Sequence, residues 1–139
     1  MKKLFLITTL CLFSSLSWGQ FAKLPSCPSS SLAFKHNCYG SLTEGEYEYV
    51  GDWQYGKQHG KGTAKLANGD MYVGDFQEGL RHGYGEYTYA NPTGSESYIG
   101  NWKNGKPHGQ GTTIFVDGAK HIGEWEDGRM SGQGVMTSR

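Results

Sequence analysis

Three histidines recur in near-identical surroundings: His59-Gly60-x-Gly62, His82-Gly83-x-Gly85 and His108-Gly109-x-Gly111. Imidazoles ligate metals and act as general bases, and glycine-rich turns can cradle phosphate, so the pattern has to be tested for chemistry first. Carboxylates recur beside it, with Asp52, Asp75 and Glu124 at one repeated position and Asn101 breaking the row. The spacing argues against a shared site. If each copy supplies two strands, equivalent histidines stand about 9–10 Å apart. Zinc needs its nitrogens within roughly 3.5 Å of one another. No Ser, Cys or Asp set apart from the pattern pairs with a histidine as a nucleophile would. The glycines are spread over every copy, unlike a phosphate loop between one strand and one helix. These residues therefore predict no catalytic, cofactor-binding or metal site. The imidazoles are expected to hydrogen-bond the backbone of a turn, and the carboxylates to be solvated.

The elements behind the pattern are repeats. "YVGDWQYGKQHGKG" begins at Tyr49, "YVGDFQEGLRHGYG" at Tyr72, "YIGNWKNGKPHGQG" at Tyr98 and "HIGEWEDGRMSGQG" at His121. Self-similarity at this period signals an array of stacked units. Within a copy, Tyr49, Gly51 and Trp53 alternate with Val50, Asp52 and Gln54, the period of a strand. A glycine turn follows, then a second alternating run through Gly62, Ala64 and Leu66. Asn68-Gly69 and Asp117-Gly118 are the sequence signals for two-residue hairpin turns. Each copy is thus predicted to be a β-hairpin. Consecutive copies give an all-β fold, a single elongated antiparallel sheet of stacked hairpins. Strand glycines such as Gly51 and Gly62 are expected to leave room for large rings. A lone hairpin is marginal in water, so the rings must bury area against neighbouring copies. The second copy carries an insertion, "ANPTGSES", which reads as a varied loop.

The Tyr-x-Gly-x-aromatic openings, the next glycine (Gly56, Gly79 or Gly105) and the His-Gly-x-Gly runs resemble the MORN (membrane occupation and recognition nexus) repeat family. The resemblance covers residues 49–139 as copies 49–71, 72–97, 98–120 and 121–139. The fourth copy departs from the pattern, with His121 at the tyrosine position and Ser131 at the histidine position. The resemblance implies a non-enzymatic interaction module, a family in which membrane roles and association through the array ends also occur.

The first residues, "MKKLFLITTLCLFSSLSWGQ", read as a secretory signal. Lys2 and Lys3 precede an apolar run from Leu4 to Leu16, with small residues at Ser17 and Gly19. Residues 1–19 are assigned to it, and localisation is expected to be periplasmic or extracellular. The whole chain has 13 Lys/Arg and 13 Asp/Glu. Removing Lys2 and Lys3 leaves a small net negative charge, which argues against nucleic acid and gives anionic lipid no basic patch. Cys27 and Cys38 would remain and are expected to form a disulfide. Lipidation of Cys27 in "LPSC" is the alternative, opposed by Pro25. Residues 20–48 then form an N-terminal cap, with "NCYGSLTEGEYE" as a degenerate copy: Gly40 aligns with Gly62, and Cys38 with Gly60.

The candidate binding face is the row of rings Tyr49, Trp53, Tyr72, Phe76, Tyr98, Trp102 and Trp125. The predicted function is a scaffold or protein–protein interaction module. The alternative uses the aromatic face for membrane lipid or cell-wall glycan. An unknown protein partner is expected. The last strand, "QGVMTSR", is an open edge that could pair with a second copy as a homodimer.

Overall fold

The computed structural model describes residues 24–28 and 35–139, so the expected signal lies outside the described residues. Nine strands follow in order: β1 (Cys38–Glu44), β2 (Tyr47–Gln54), β3 (Lys57–Lys65), β4 (Met71–Gln77), β5 (Leu80–Thr88), β6 (Ser95–Lys103), β7 (Lys106–Phe115), β8 (Lys120–Glu126) and β9 (Arg129–Thr137). They form one sheet in sequence order, each strand antiparallel to the next, with no helix among the described residues. The all-β array of hairpins read from the sequence is the fold of this chain.

Two kinds of turn alternate. Within a copy, the strands are joined by Tyr55-Gly56, Glu78-Gly79, Asn104-Gly105 or Asp127-Gly128, with both residues at positive φ (50° and 74° in the first). These are primed two-residue turns, whose twist matches that of the strands. Between copies the turns differ from expectation. Asn68-Gly69 is the end of a three-residue loop, closed by Leu66 N–H to the Asp70 carbonyl (2.8 Å) and Gly69 N–H to the Leu66 carbonyl (2.8 Å). Only the glycine is left-handed there, because the Asn68 side chain is committed to accepting the Asp70 N–H (3.1 Å). Asp117-Gly118 does the same, with Asp117 Oδ1 accepting the Ala119 N–H (2.9 Å).

The core lies on one face. A line of glycines crosses all nine strands, pairing in turn from Gly40 and Gly51 through Gly62, Gly74, Gly85, Gly100 and Gly111 to Gly123 and Gly134. Tyrosine rings lie across this line. A Cβ built on Gly62 would stand 2.5 Å from the Tyr49 ring, so no larger residue fits. Each phenol donates to the carbonyl three residues on: Tyr49 to Asp52 and Tyr72 to Asp75 at 2.9 Å, and Tyr98 to Asn101 at 3.0 Å. The rings then interlock edge to face along the sheet. Tyr49 meets Trp53 (5.2 Å) and Phe76 (5.0 Å), Tyr72 meets Phe76 (5.1 Å) and Trp102 (5.2 Å), and Tyr98 meets Trp102 (5.3 Å) and Trp125 (5.1 Å). Each such pair adds about 0.5–1.5 kcal/mol beyond the area it buries. One copy leans on the next through these contacts, which is why a single hairpin would not suffice.

Two expectations about the His-Gly segment are corrected. Asp52 and Asp75 are not merely solvated. Asp52 Oδ2 accepts the Lys61 N–H (3.1 Å) and Asp75 Oδ2 the Tyr84 N–H (3.0 Å), each just after a left-handed glycine, Gly60 or Gly83. The carboxylate satisfies an amide that the bulge removes from the ladder. The Nδ1 atoms of His59 and His108, by contrast, are buried with no partner among the described residues, so their imidazoles do not hold the backbone through that nitrogen.

Candidate functional site

The fold gathers the predicted ring row onto one face, but most of those rings are covered. Tyr49 and Tyr72 are fully buried, Trp53, Phe76, Tyr98 and Trp102 nearly so, and Trp125 is half-buried. Burial pushes the Tyr49 and Tyr72 phenols well above the ordinary tyrosine range, and the Tyr98 phenol to about 12. These groups stay protonated and act as donors to carbonyls.

The ring face opens between the second copy and the fourth. A cavity of about 400 Å³ is lined there by Arg81, Tyr89, Trp102, Thr113 and Trp125, among others. The Arg81 guanidinium lies 4.7 Å from the Trp102 ring centre and 4.9 Å from that of Tyr87, and it donates to the Gly105 carbonyl at 2.9 Å. Such cation–ring contacts desolvate a charge while leaving its outer donors usable. Sequence reasoning passed over Arg81 and Thr113. The available signal was that both columns vary in every copy, with Gln58, Pro107 and Met130 corresponding to Arg81, and Ala64, Tyr87 and Met136 to Thr113.

Beside the cavity, Asp70 is buried at the copy junction and ties three segments together. It accepts from the Tyr87 phenol (2.5 Å), the Asn68 amide (2.8 Å) and the Ala90 N–H (2.9 Å). Burial alone would raise its carboxyl. The Tyr87, Ala90 and Asn68 hydrogen bonds and the Arg81 charge outweigh that and leave it below the usual carboxylate range. The Tyr87 phenol is pushed up to about 12, by burial first and then by this carboxylate.

The two sheet ends complete the surface. At the first, Cys27 and Cys38 are joined by a disulfide, and the segment around Ser26 runs alongside Tyr39 of β1. At the other, β9 is paired on one side only among the described residues, and Met130, Val135 and Met136 are exposed. Among the described residues, no group of three His, Cys, Asp or Glu side chains is placed to hold a metal ion.

No curated protein matches the chain at a significant level. The MORN-repeat family model matches it four times, at residues 49–71, 72–91, 98–120 and 121–139. Repeats of this kind are generally non-enzymatic and serve as protein or membrane interaction modules. With four matches covering more than half its length, in register with hairpins that share one glycine line and one ring row, the chain belongs to the MORN-repeat family.

Proposed function

We propose that this chain is a non-enzymatic scaffold of the periplasm or the extracellular space, exported by its first nineteen residues, that binds a protein partner. The observation that carries the reading is β9. It is the last strand of the sheet, with one ladder edge unpaired among the described residues and Val135 and Met136 more than half exposed on its two faces. An extended strand of a partner adds to such an edge through main-chain hydrogen bonds, with side-chain pockets supplying selectivity. The partner strand can be another protein's or the β9 of a second copy, the latter giving a two-fold dimer. Lipid or glycan recognition by the ring faces has less support. The rings that would stack are covered by one another, and the charge balance supplies no basic patch.

The test is photo-crosslinking in the envelope from a probe at Thr137, with native mass measurement of the purified chain. A defined protein or a second copy captured from this position supports the reading; the capture is lost in Val135→Lys/Met136→Lys, which leaves the probe in place, and truncation after Gly128 returns any dimer to single-chain mass. A strictly single-chain mass together with no crosslinked polypeptide refutes it. The double variant Val135→Lys/Met136→Lys keeps all nine strands and serves where the truncated chain fails to fold.

A further inference from the structure

Two residues that line the cavity on the ring face each carry a buried polar atom without a partner among the described residues. Thr113 is 2 % exposed, and its hydroxyl has no hydrogen-bond partner among the described residues. The Trp125 Nε1–H is likewise buried and unpartnered. Its counterparts in earlier copies are satisfied: Trp53 donates to the Gly40 carbonyl (3.0 Å) and Trp102 to the Gly85 carbonyl (3.2 Å). Thr113 and Trp125 line the same cavity as Arg81. In the column that Thr113 occupies, the preceding copy has Tyr87, so a small hydroxyl side chain stands where a ring stood. Among the described residues no carboxylate forms an ion pair with Arg81. Asp70, whose carboxyl feels its charge, is already engaged by Tyr87, Asn68 and Ala90.

We infer that this cavity is a binding site for a carboxylate carried on an apolar or aromatic body, with Arg81 and the polar groups of Thr113 and Trp125 on the side of the acid and the exposed ring of Tyr89 on the side of the body. The chemistry follows from the inventory. An indole N–H and a guanidinium only donate, and the hydroxyl can donate, so the set calls for an acceptor. The positive charge selects an anion over a neutral amide and rejects a cation. A phosphate would carry more charge than one arginine balances, and the aromatic walls favour a ligand with apolar area to bury. A carboxylate on a ring meets both halves. Its source is either a free small acid or the end of a polypeptide, and the inference does not depend on the partner chosen by β9.

The test uses the product recovered after expression of the whole sequence, labelled with ¹⁵N and titrated with phenylacetate, phenylacetamide and N-acetyl-phenylalaninate. The readout is the indole N–H signal of Trp125, assigned with Trp125→Phe, against that of Trp53. Ligands of this size should bind in the millimolar range, on the order of 1–10 mM. Both acids are expected to move Trp125 and leave Trp53 in place. Arg81→Gln should weaken this about tenfold or more, with Arg81→Lys intermediate. Thr113→Val should weaken binding while raising the melting temperature, since it removes an unpaired buried hydroxyl. Comparable affinities for the two acids identify a free small acid as the ligand. An affinity about tenfold higher for N-acetyl-phenylalaninate identifies a polypeptide end. No shift of Trp125 with either acid, an equal shift with phenylacetamide, or an unchanged response in a folded Arg81→Gln protein would overturn the inference.

Discussion

The two ends of this sheet are built from the same repeat and finished in opposite ways. At the start, β1 stands to β2 as β3 stands to β4, with Cys38 facing Trp53 where Gly60 faces Phe76. The outer side of β1 is then occupied. Cys27 N–H donates to the Tyr39 carbonyl (2.8 Å), Tyr39 N–H to the Pro25 carbonyl (2.7 Å), and the disulfide fixes this segment in place. Lys35 lies over the Trp53 ring (4.3 Å), gives its ammonium to the Ser41 carbonyl, and accepts the Gly56 N–H on its own carbonyl (2.7 Å). At the far end, Trp125 and His121 keep buried nitrogens without partners among the described residues, and β9 is exposed along most of its length. A repeat leaves each unit dependent on its neighbour. The comparison shows that the two outermost units here differ in whether that dependence is met within the described chain.

The sharpest way to break the comparison is to make the same substitution at both ends. Trp53→Ala removes a nearly fully buried indole, its hydrogen bond to Gly40 and the seat of Lys35, and should cost about 3–5 kcal/mol in urea unfolding. Trp125→Ala removes a half-buried ring with no acceptor and should cost roughly 1–2 kcal/mol. Equal losses would mean that the second end is as well packed as the first. Next in size is the staple. Cys27 and Cys38 are separated by 11 positions, and opening a loop of that length should cost about 3 kcal/mol. Reduction, or Cys27→Ser/Cys38→Ser, should quicken amide exchange in β1 and β2 while leaving β8 unchanged. Faster exchange in β8 as well would show that the ends communicate.

Between the ends, Asp70 provides a pH-dependent junction. Its carboxyl is depressed in the folded state, so its contribution is present above the ordinary carboxylate value and lost as pH falls through the lower folded one. Tyr87, raised to about 12, favours the folded state below the ordinary phenol value near 10 and loses that contribution as pH climbs toward 12. Asp70→Ala should cost about 2 kcal/mol at neutral pH by stranding the Tyr87 hydroxyl and the Ala90 N–H. The check is the acid limb of stability against pH, which should flatten in Asp70→Ala. An unaltered acid limb would place the titrating group elsewhere.

How much of this was legible varies with the physics. The glycine line and the ring row were readable because both recur at a fixed period, and alternation puts them on one face. The bulge was not, because whether Asp52 faces water or its own strand's partner depends on one left-handed residue, Gly60, whose effect no alternation pattern carries. The Asn68-Gly69 turn was misread because a side-chain hydrogen bond to Asp70 competes with the tighter turn. That the rings bury one another was readable, but how completely was not. Edge-to-face packing between copies depends on twist and register, and it spends the ring faces on one another. An opening on the ring face follows from a thin single sheet, but its polar lining was not legible. Arg81 and Thr113 stand in columns that hold a different residue in every copy, and a reading that seeks sameness passes over such positions.

The fourth copy allows a smaller test, this time in the stabilising direction. His121 lies where a tyrosine crosses the glycine line, and its Nδ1 is buried and unpaired among the described residues. Restoring the repeat with His121→Tyr should let the phenol reach the Glu124 carbonyl, as Tyr98 reaches Asn101, and tighten the edge contact that His121 already makes with Trp125 at 6.0 Å. A gain of about 1 kcal/mol in thermal unfolding is expected. No gain would mean that the last unit is too loosely packed to use the ring.

The smallest effect on stability should come from the edge itself, and it separates folding from association. Val135 and Met136 are each more than half exposed, so Val135→Lys/Met136→Lys should change the unfolding free energy by less than about 0.5 kcal/mol. Charges on an edge strand oppose pairing with another strand far more than they disturb the strand's own ladder. Sedimentation velocity should therefore show association lost while the melting curve stays in place. If both move together, β9 is held by the same contacts that fold the array, and the far end is closed after all. If neither moves, the edge is open but does not pair with its own kind, and the strand that completes it belongs to another protein.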